Sequence, residues 1–241
     1  MPHALRRYFD YKPRRVNYLT HISRRHHAVF VEVPKAGCTV VKRVLQIAED
    51  PAAANVESVH DRSTSPLGRV FRSGIDVDEL FGPKSDWFRF TFVRNPYSRA
   101  LSCYLEKVVG LSWLSEKRLP LLGLEQGEEV SFRRFLEILD SDPSIREADI
   151  HWTPQATLLG LGRVSYDYIG RFESFSQDLT RVMHRLGIEV GADLVGRRTT
   201  HEVGANSRIL EYYDDACVDL VRSVYREDFE RLGYGVDPRL A

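Results

Sequence analysis

Cysteine is scarce here: Cys38, Cys103 and Cys217 are the only three in 241 residues. Their odd number and wide spacing exclude a disulfide framework and a zinc knuckle. No stretch has the length and apolarity of a membrane span, and the first residues lack the apolar core of a secretory signal. Charge of one sign is missing too, since 34 lysines and arginines balance 34 aspartates and glutamates. No global field therefore points to nucleic acid or an anionic membrane. Internal repeats and low-complexity tracts are absent. What remains is the expectation of a soluble, cytoplasmic protein. With 43% hydrophobic residues it can bury a sizeable core as one α/β domain over residues 1–241.

The charge that is present is uneven. The first 27 residues carry Arg6, Arg7, Lys12, Arg14, Arg15, Arg24 and Arg25 against Asp10 alone. Residues 1–26 read as a solvated basic arm; the alternative is an arm bordering an anionic ligand or acceptor. Beyond it, strand and helix patterns alternate. Strands are expected at 28–33, 55–59, 87–93 and in "YDYIGRFES", and helices at 39–48, 96–109, 131–140 and 175–186. Leu101, Tyr104, Leu105 and Val108 form the buried stripe of the helix that opens at Pro96. Pro120, Gly123 and Gly127 mark loops. Cys217, Leu220, Val221 and Val224 put an apolar stripe on one long C-terminal helix. The alternation implies a central parallel sheet flanked by helices, with ligands beyond the C-terminal ends of the strands. "PKAGCT", "VHD" and "VRNP" all fall at that rim.

"VFVEVPKAGCTVVKRVL" reads as a strand, a tight loop and a helix. Gly37 allows close backbone approach. The N–H groups of Gly37, Cys38, Thr39 and Val40 open the helix without intrahelical partners, a socket for phosphate or sulfate. Lys35 and Ala36 complete the loop, and Lys35 adds a positive charge. The nucleotide loop GxxxxGK[ST] is not matched, because here lysine precedes glycine. Thr39 stands at a helix start, but Asp61 is the only acidic candidate for magnesium. The loop thus reads as built for an anionic nucleotide without the usual metal. Cys38 reads as a small residue filling a tight turn, with a helix N-terminus that would lower its pKa.

In "FTFVRNPYSRALSCYLEKV" Arg94 ends a strand, and Ser98 and Ser102 lie four apart on one helix face. An arginine fork and a hydroxyl could grip one phosphate. Capping or solvated roles are the structural alternative.

Together "PKAGCT" and "RNPYSRALSCY" resemble the sulfotransferases that use 3′-phosphoadenosine 5′-phosphosulfate. In that family the first motif binds the 5′-phosphosulfate and the second binds the 3′-phosphate. Lys35, Gly37, Cys38 and Thr39 carry over to the first, Arg94 and Ser102 to the second. The cysteine before threonine, with "DIHWTPQ" and "YIGRFESFSQDL", is most similar to the carbohydrate sulfotransferase branch. The resemblance runs in patches from residue 29 to about residue 182. Animal members have a membrane anchor and a lumenal domain compatible with disulfides. This chain shows neither and looks like a soluble, bacterial-type version, so acceptor identity does not carry over.

The resemblance implies a phosphosulfate donor as co-substrate, a hydroxyl acceptor expected on a carbohydrate, and no metal. Lys35 would stabilise charge on the leaving phosphate. His60 is the expected base, by analogy with a histidine or glutamate after the second strand, and imidazole titrates near neutrality. His151 is the rival base. Glu173 reads as a structural partner for Arg171, and His26, His27 and His201 as surface residues. Two other readings stay open: a P-loop nucleotide kinase or hydrolase, and a nucleotide-binding module without catalysis.

Overall fold

A computed structural model describes residues 2–110, 118–125, 128–191 and 208–237. They form two compact units, one drawn from residues 1–93 and 157–197, the other from 94–156 and 198–241. Gly127 and His201 lie outside the described residues.

The first unit is the α/β part. Short helices α1 (Pro2–Leu5) and α2 (Pro13–Leu19) lead into β1 (Thr20–Ser23), β2 (Ala28–Val31), α3 (Cys38–Glu49) and α4 (Val77–Phe81). Then come β3 (Phe88–Val93), β4 (Tyr168–Arg171) and a helix at Phe175–Arg185. The sheet order is β1-β2-β3-β4. β2, β3 and β4 are parallel, as expected, while β1 pairs antiparallel with β2 through a hairpin, Thr20 opposite Val31 and Ser23 opposite Ala28. β2 and the last five residues of β3 are buried throughout; β2 is a continuous apolar run, as burial on both faces requires, while β3 sets Arg89 and Thr91 between its phenylalanines. Val41, Val44 and Leu45 of α3 share a core with Leu179, Val182 and Met183 and with Phe30, Phe90 and Phe92 of the sheet.

Two expectations need correction here. The basic segment is no solvated arm: Leu5, Phe9, Val16, Leu19 and Ile22 are each no more than 1% exposed. Its cations lie on the outside of folded elements whose apolar residues belong to the interior. The strand expected at 55–59 is absent too. A 3-10 helix at Pro51–Asn55, capped by Asp50, and a turn at 59–60 take its place; Pro51 suits the first turn of that 3-10 helix.

The second unit is helical. It begins at Arg94, the residue after β3. α5 (Pro96–Lys107) is capped by Asn95, whose Oδ1 accepts from the Tyr97 N–H at 3.0 Å. Its expected stripe is buried with Phe135, Leu136, Leu139 and Trp152, and Leu105 and Val108 pack at the margin. Helices at Phe132–Ser141, Asp215–Val224 and Arg226–Leu232 complete it. The C-terminal stripe of Cys217, Leu220, Val221 and Val224 lies on the Asp215–Val224 helix, which is shorter than expected because a second helix starts after Tyr225. Among the described residues no helix is long and apolar enough to cross a membrane.

Candidate functional site

In the first unit the chain leaves β2 through Glu32 and Val33, both buried. It then turns sharply, with Lys35 at φ 74° and Gly37 at φ 81°. Two left-handed residues this close bend the backbone into a concavity whose N–H groups point inward, the geometry of an anion nest. Among the described residues nothing accepts from the N–H groups of Gly37, Cys38 and Thr39. Val40, expected to join them, donates instead to the Gly37 carbonyl at 3.2 Å, because the first turn of α3 is wound tightly. A Cβ on Gly37 would sit 2.4 Å from Cε2 of Phe175, whose ring is buried in the core. Gly37→Ala should therefore cost about 2–4 kcal/mol of stability, from the left-handed backbone and the clash together. Urea unfolding followed by circular dichroism measures this; a loss under about 0.5 kcal/mol would show that the loop has room to spare.

Behind the loop lies a chain of polar groups, buried at Glu32, His21 and Lys42 and reaching the surface at His60. The Glu32 carboxylate accepts from Lys42 Nζ at 2.8 Å and from His21 Nε2 at 2.8 Å. His21 Nδ1 faces the Arg62 guanidinium, which also donates to the Thr20 carbonyl at 2.9 Å. Lys42 Nζ lies 2.8 Å from His60 Nδ1, and His60 Nε2 lies 3.2 Å from the Thr39 hydroxyl. Burial works to raise Glu32, but the Lys42 ammonium and the bond from His21 outweigh it and hold its carboxyl below the usual range. Burial lowers His21 to about 4 against the pull of Glu32, so this imidazole is neutral at pH 7. Burial also acts to lower Lys42, but the charge of Glu32 outweighs it and keeps the ammonium protonated.

His60 stands in an exposed turn rather than at a strand end, yet it does reach the loop through Thr39. Cys38 fills the turn as expected, but its thiol is not lowered by the helix start. Burial and the nearby Glu32 carboxylate push its thiol up to about 12, which overrides the helix N-terminus and makes it an inert filler of the turn. Asp61 folds back onto Ser63, accepting from its N–H at 2.8 Å and its hydroxyl at 2.6 Å. Among the described residues no three histidine, cysteine or acidic groups converge as metal ligands.

In the second unit Arg94 is fully buried, and its Nε donates to the Ser98 hydroxyl at 3.0 Å. Ser102 follows one turn later, 3% exposed. The backbone of Arg94 is clamped by Gln155, whose Oε1 accepts from its N–H at 2.9 Å and whose Nε2 donates to its carbonyl at 2.7 Å. Gln155 is fixed in turn by the buried Asp228 carboxylate, which accepts from the Gln155 and Ala156 N–H groups at 3.0 and 2.7 Å. Sequence reasoning passed over Gln155 and Asp228; the one available signal was the glutamine of "DIHWTPQ". His151, from the same stretch, directs Nδ1 at the Asp149 carboxylate, and Arg118 Nε donates to the other Asp149 oxygen at 2.9 Å. Burial lowers the His151 imidazole, partly offset by that carboxylate.

The remaining candidates are structural. Glu173 is exposed in a 3-10 turn, so it is not the buried group expected beside Arg171. Asp178 does that work, accepting from the Arg171 N–H at 2.8 Å, the Ser174 hydroxyl at 2.7 Å and the Tyr168 hydroxyl at 2.7 Å. His27 is exposed and stacks on Trp87. His26 is half-buried, 3.1 Å from the Leu186 carbonyl.

Comparison with known proteins converges on one chemistry. The sulfotransferase family model matches residues 19–235. Carbohydrate sulfotransferase 14 of Danio rerio is 28% identical over 228 residues, 88% of this chain and 60% of that protein. Carbohydrate sulfotransferase 8 of Mus musculus is 28% identical over 235 residues, 88% of this chain and 56% of that protein. Carbohydrate sulfotransferase 14 of Homo sapiens is 30% identical over 176 residues, 67% and 45%. The chain thus spans well under two thirds of the length of these relatives. No solved structure matches it.

Proposed function

The chain belongs to the sulfotransferase family, and on that premise we propose that it moves a sulfuryl group from 3′-phosphoadenosine 5′-phosphosulfate to a hydroxyl of a carbohydrate. The observation that carries this reading is the loop after β2. Its left-handed Lys35 and Gly37, three N–H groups without partners among the described residues and one lysine suit a phosphosulfate. The carbohydrate acceptor rests on the relatives, which are carbohydrate sulfotransferases by name.

Bound there, the donor supplies a sulfur electrophile with a phosphate as leaving group. The acceptor oxygen forms a bond to sulfur while the bond from sulfur to the bridging phosphate oxygen breaks, leaving adenosine 3′,5′-bisphosphate. The loop N–H groups and Thr39 orient the anion, and Lys35 opposes the charge that grows on the leaving oxygen. The family's second motif assigns Arg94 and Ser102 to the 3′-phosphate, and within its own unit the Gln155 clamp fixes the Arg94 backbone. The acceptor proton goes to His151 rather than His60. With Nδ1–H directed at Asp149, His151 keeps the Nε2 lone pair that a base needs. His60 faces an ammonium at Nδ1, which leaves Nε2 as a donor.

A melting experiment decides between nucleotide classes. Adenosine 3′,5′-bisphosphate at a hundredfold excess over its Kd should stabilise the fold by about 2.7 kcal/mol without magnesium. Stabilisation by Mg-ATP and not by the bisphosphate would replace this reading with a kinase or hydrolase. Binding without transfer of labelled sulfate to any carbohydrate in a panel would make the chain a nucleotide-binding module.

A further inference from the structure

We propose that Lys42 is a positioning residue that locks His60 as a neutral Nε2–H donor at the edge of the anion loop. The argument is one of hydrogen-bond direction. An ammonium and a guanidinium only donate, and a carboxylate only accepts. Arg62 therefore donates to His21 Nδ1, which places the proton of that imidazole on Nε2, where it is given to Glu32. Lys42 donates to the same carboxylate and, from another N–H, to His60 Nδ1. The proton of the second imidazole is thereby placed on Nε2, facing the Thr39 hydroxyl. Both imidazoles hold the same tautomer for the same reason, a cation at Nδ1.

The placement on α3 makes the lock local. Thr39 and Lys42 are three residues apart and share a helix face, and His60 bridges them from the turn at 59–60. The Lys42 and Glu32 side chains are 1% and 4% exposed, so water does not compete for the ammonium. With Thr39 Oγ accepting from His60, the threonine hydroxyl proton is available to an anion at the loop. The consequence is chemical: a donor is aligned beside the phosphosulfate without a second full charge, and His60 is removed from the role of base. The identity of that anion rests on the sulfotransferase reading; the tautomer does not.

Two-bond proton–nitrogen spectra of the full ¹⁵N-labelled chain test the lock directly, with His60 assigned by its loss in His60→Gln. At pH 7 the expected pattern has Nε2 protonated and Nδ1 unprotonated. Lys42→Met alone strands the buried Glu32 charge, so it is made together with Glu32→Gln. In that pair the two His60 nitrogen shifts should move toward each other as tautomers mix. A protonated Nδ1 in the wild type, or unchanged shifts in the pair, overturns the proposal. Calorimetry with adenosine 3′,5′-bisphosphate supplies the second readout. His60→Gln keeps an N–H near the Nε2 position and should bind within about twofold of wild type. His60→Ala and the Glu32→Gln, Lys42→Met pair should each weaken binding about fivefold, and their combination should be far less than additive. Equal losses for Gln and Ala at position 60, or full additivity, also overturn it. A wild-type chain that fails to bind the bisphosphate would refute the sulfotransferase reading, while the spectra still decide the tautomer.

Discussion

Replacing Lys35 with alanine should lower kcat by about 10²–10³, the cost of removing one preorganised group from a developing negative charge, while donor affinity falls much less. The asymmetry follows from when the charge is needed. In the ground state the N–H groups of Gly37, Cys38 and Thr39 already face the loop. Only as the bond to sulfur breaks does a full charge accumulate on the bridging oxygen, and an interaction that strengthens there appears in kcat. The backbone supplies a control. Lys35 has φ 74°, where alanine is as strained as lysine, so Lys35→Ala probes the ammonium with little change in fold stability. Lys35→Gly relieves that strain and should raise stability by about 1 kcal/mol with the same loss of turnover. A variant more stable than wild type yet equally inactive separates charge from folding. If Lys35→Ala keeps kcat within about threefold of wild type, Lys35 does not stabilise the leaving group.

The parts of the fold legible in the sequence are those whose reasons are local. β2 is an apolar run because neighbours bury it on both faces, β3 repeats phenylalanine at every second position, and Pro96 announces α5 because proline suits a first turn. The loop between β2 and α3 shows as proline, lysine and glycine where a strand pattern stops. β1 was hidden for the opposite reason. Thr20, His21 and Ser23 look polar and solvated, yet all are buried; Glu32 and Glu49 from elsewhere pair the His21 and Ser23 side chains, and Arg62 takes the Thr20 carbonyl. The same long-range chemistry hid the site behind the loop. Lys42 reads as an ordinary helix cation and Glu32 as a strand end; only the folded chain brings them together over His60. Cys38 shows how one local rule loses to another term. A helix N-terminus favours a thiolate, but burial beside a carboxylate opposes it more strongly. Residues that act through a partner, such as Gln155 on Arg94, leave no mark in spacing at all.

His151→Ala should reduce kcat on alcohol acceptors by about 10²–10⁴, the range for a positioned general base, with bisphosphate affinity unchanged. The active form is the neutral imidazole with its proton on Nδ1, toward Asp149. Activity should therefore fall tenfold per pH unit below the His151 pKa in free enzyme. Burial lowers that imidazole, against the raising effect of the Asp149 carboxylate, so the acid limb of kcat/KM should lie below the ordinary imidazole value near 6.5. Asp149→Asn removes the raising charge and offers Nδ1 an amide that can donate as well as accept, so the tautomer is no longer fixed; kcat should fall while the acid limb moves further down. An acceptor with a more acidic hydroxyl, such as a nitrophenol, needs less help from a base and should recover much of the His151→Ala loss. It should not recover the loss in His60→Ala, because a donor at the loop acts on the leaving side, whatever the acceptor. The acid limb gives the same contrast: absent in His151→Ala, retained in His60→Ala. Wild-type kcat on alcohols in His151→Ala, or an acid limb that vanishes with His60 instead, would return the proton to His60 and require Lys42 to release its hold on Nδ1 during turnover.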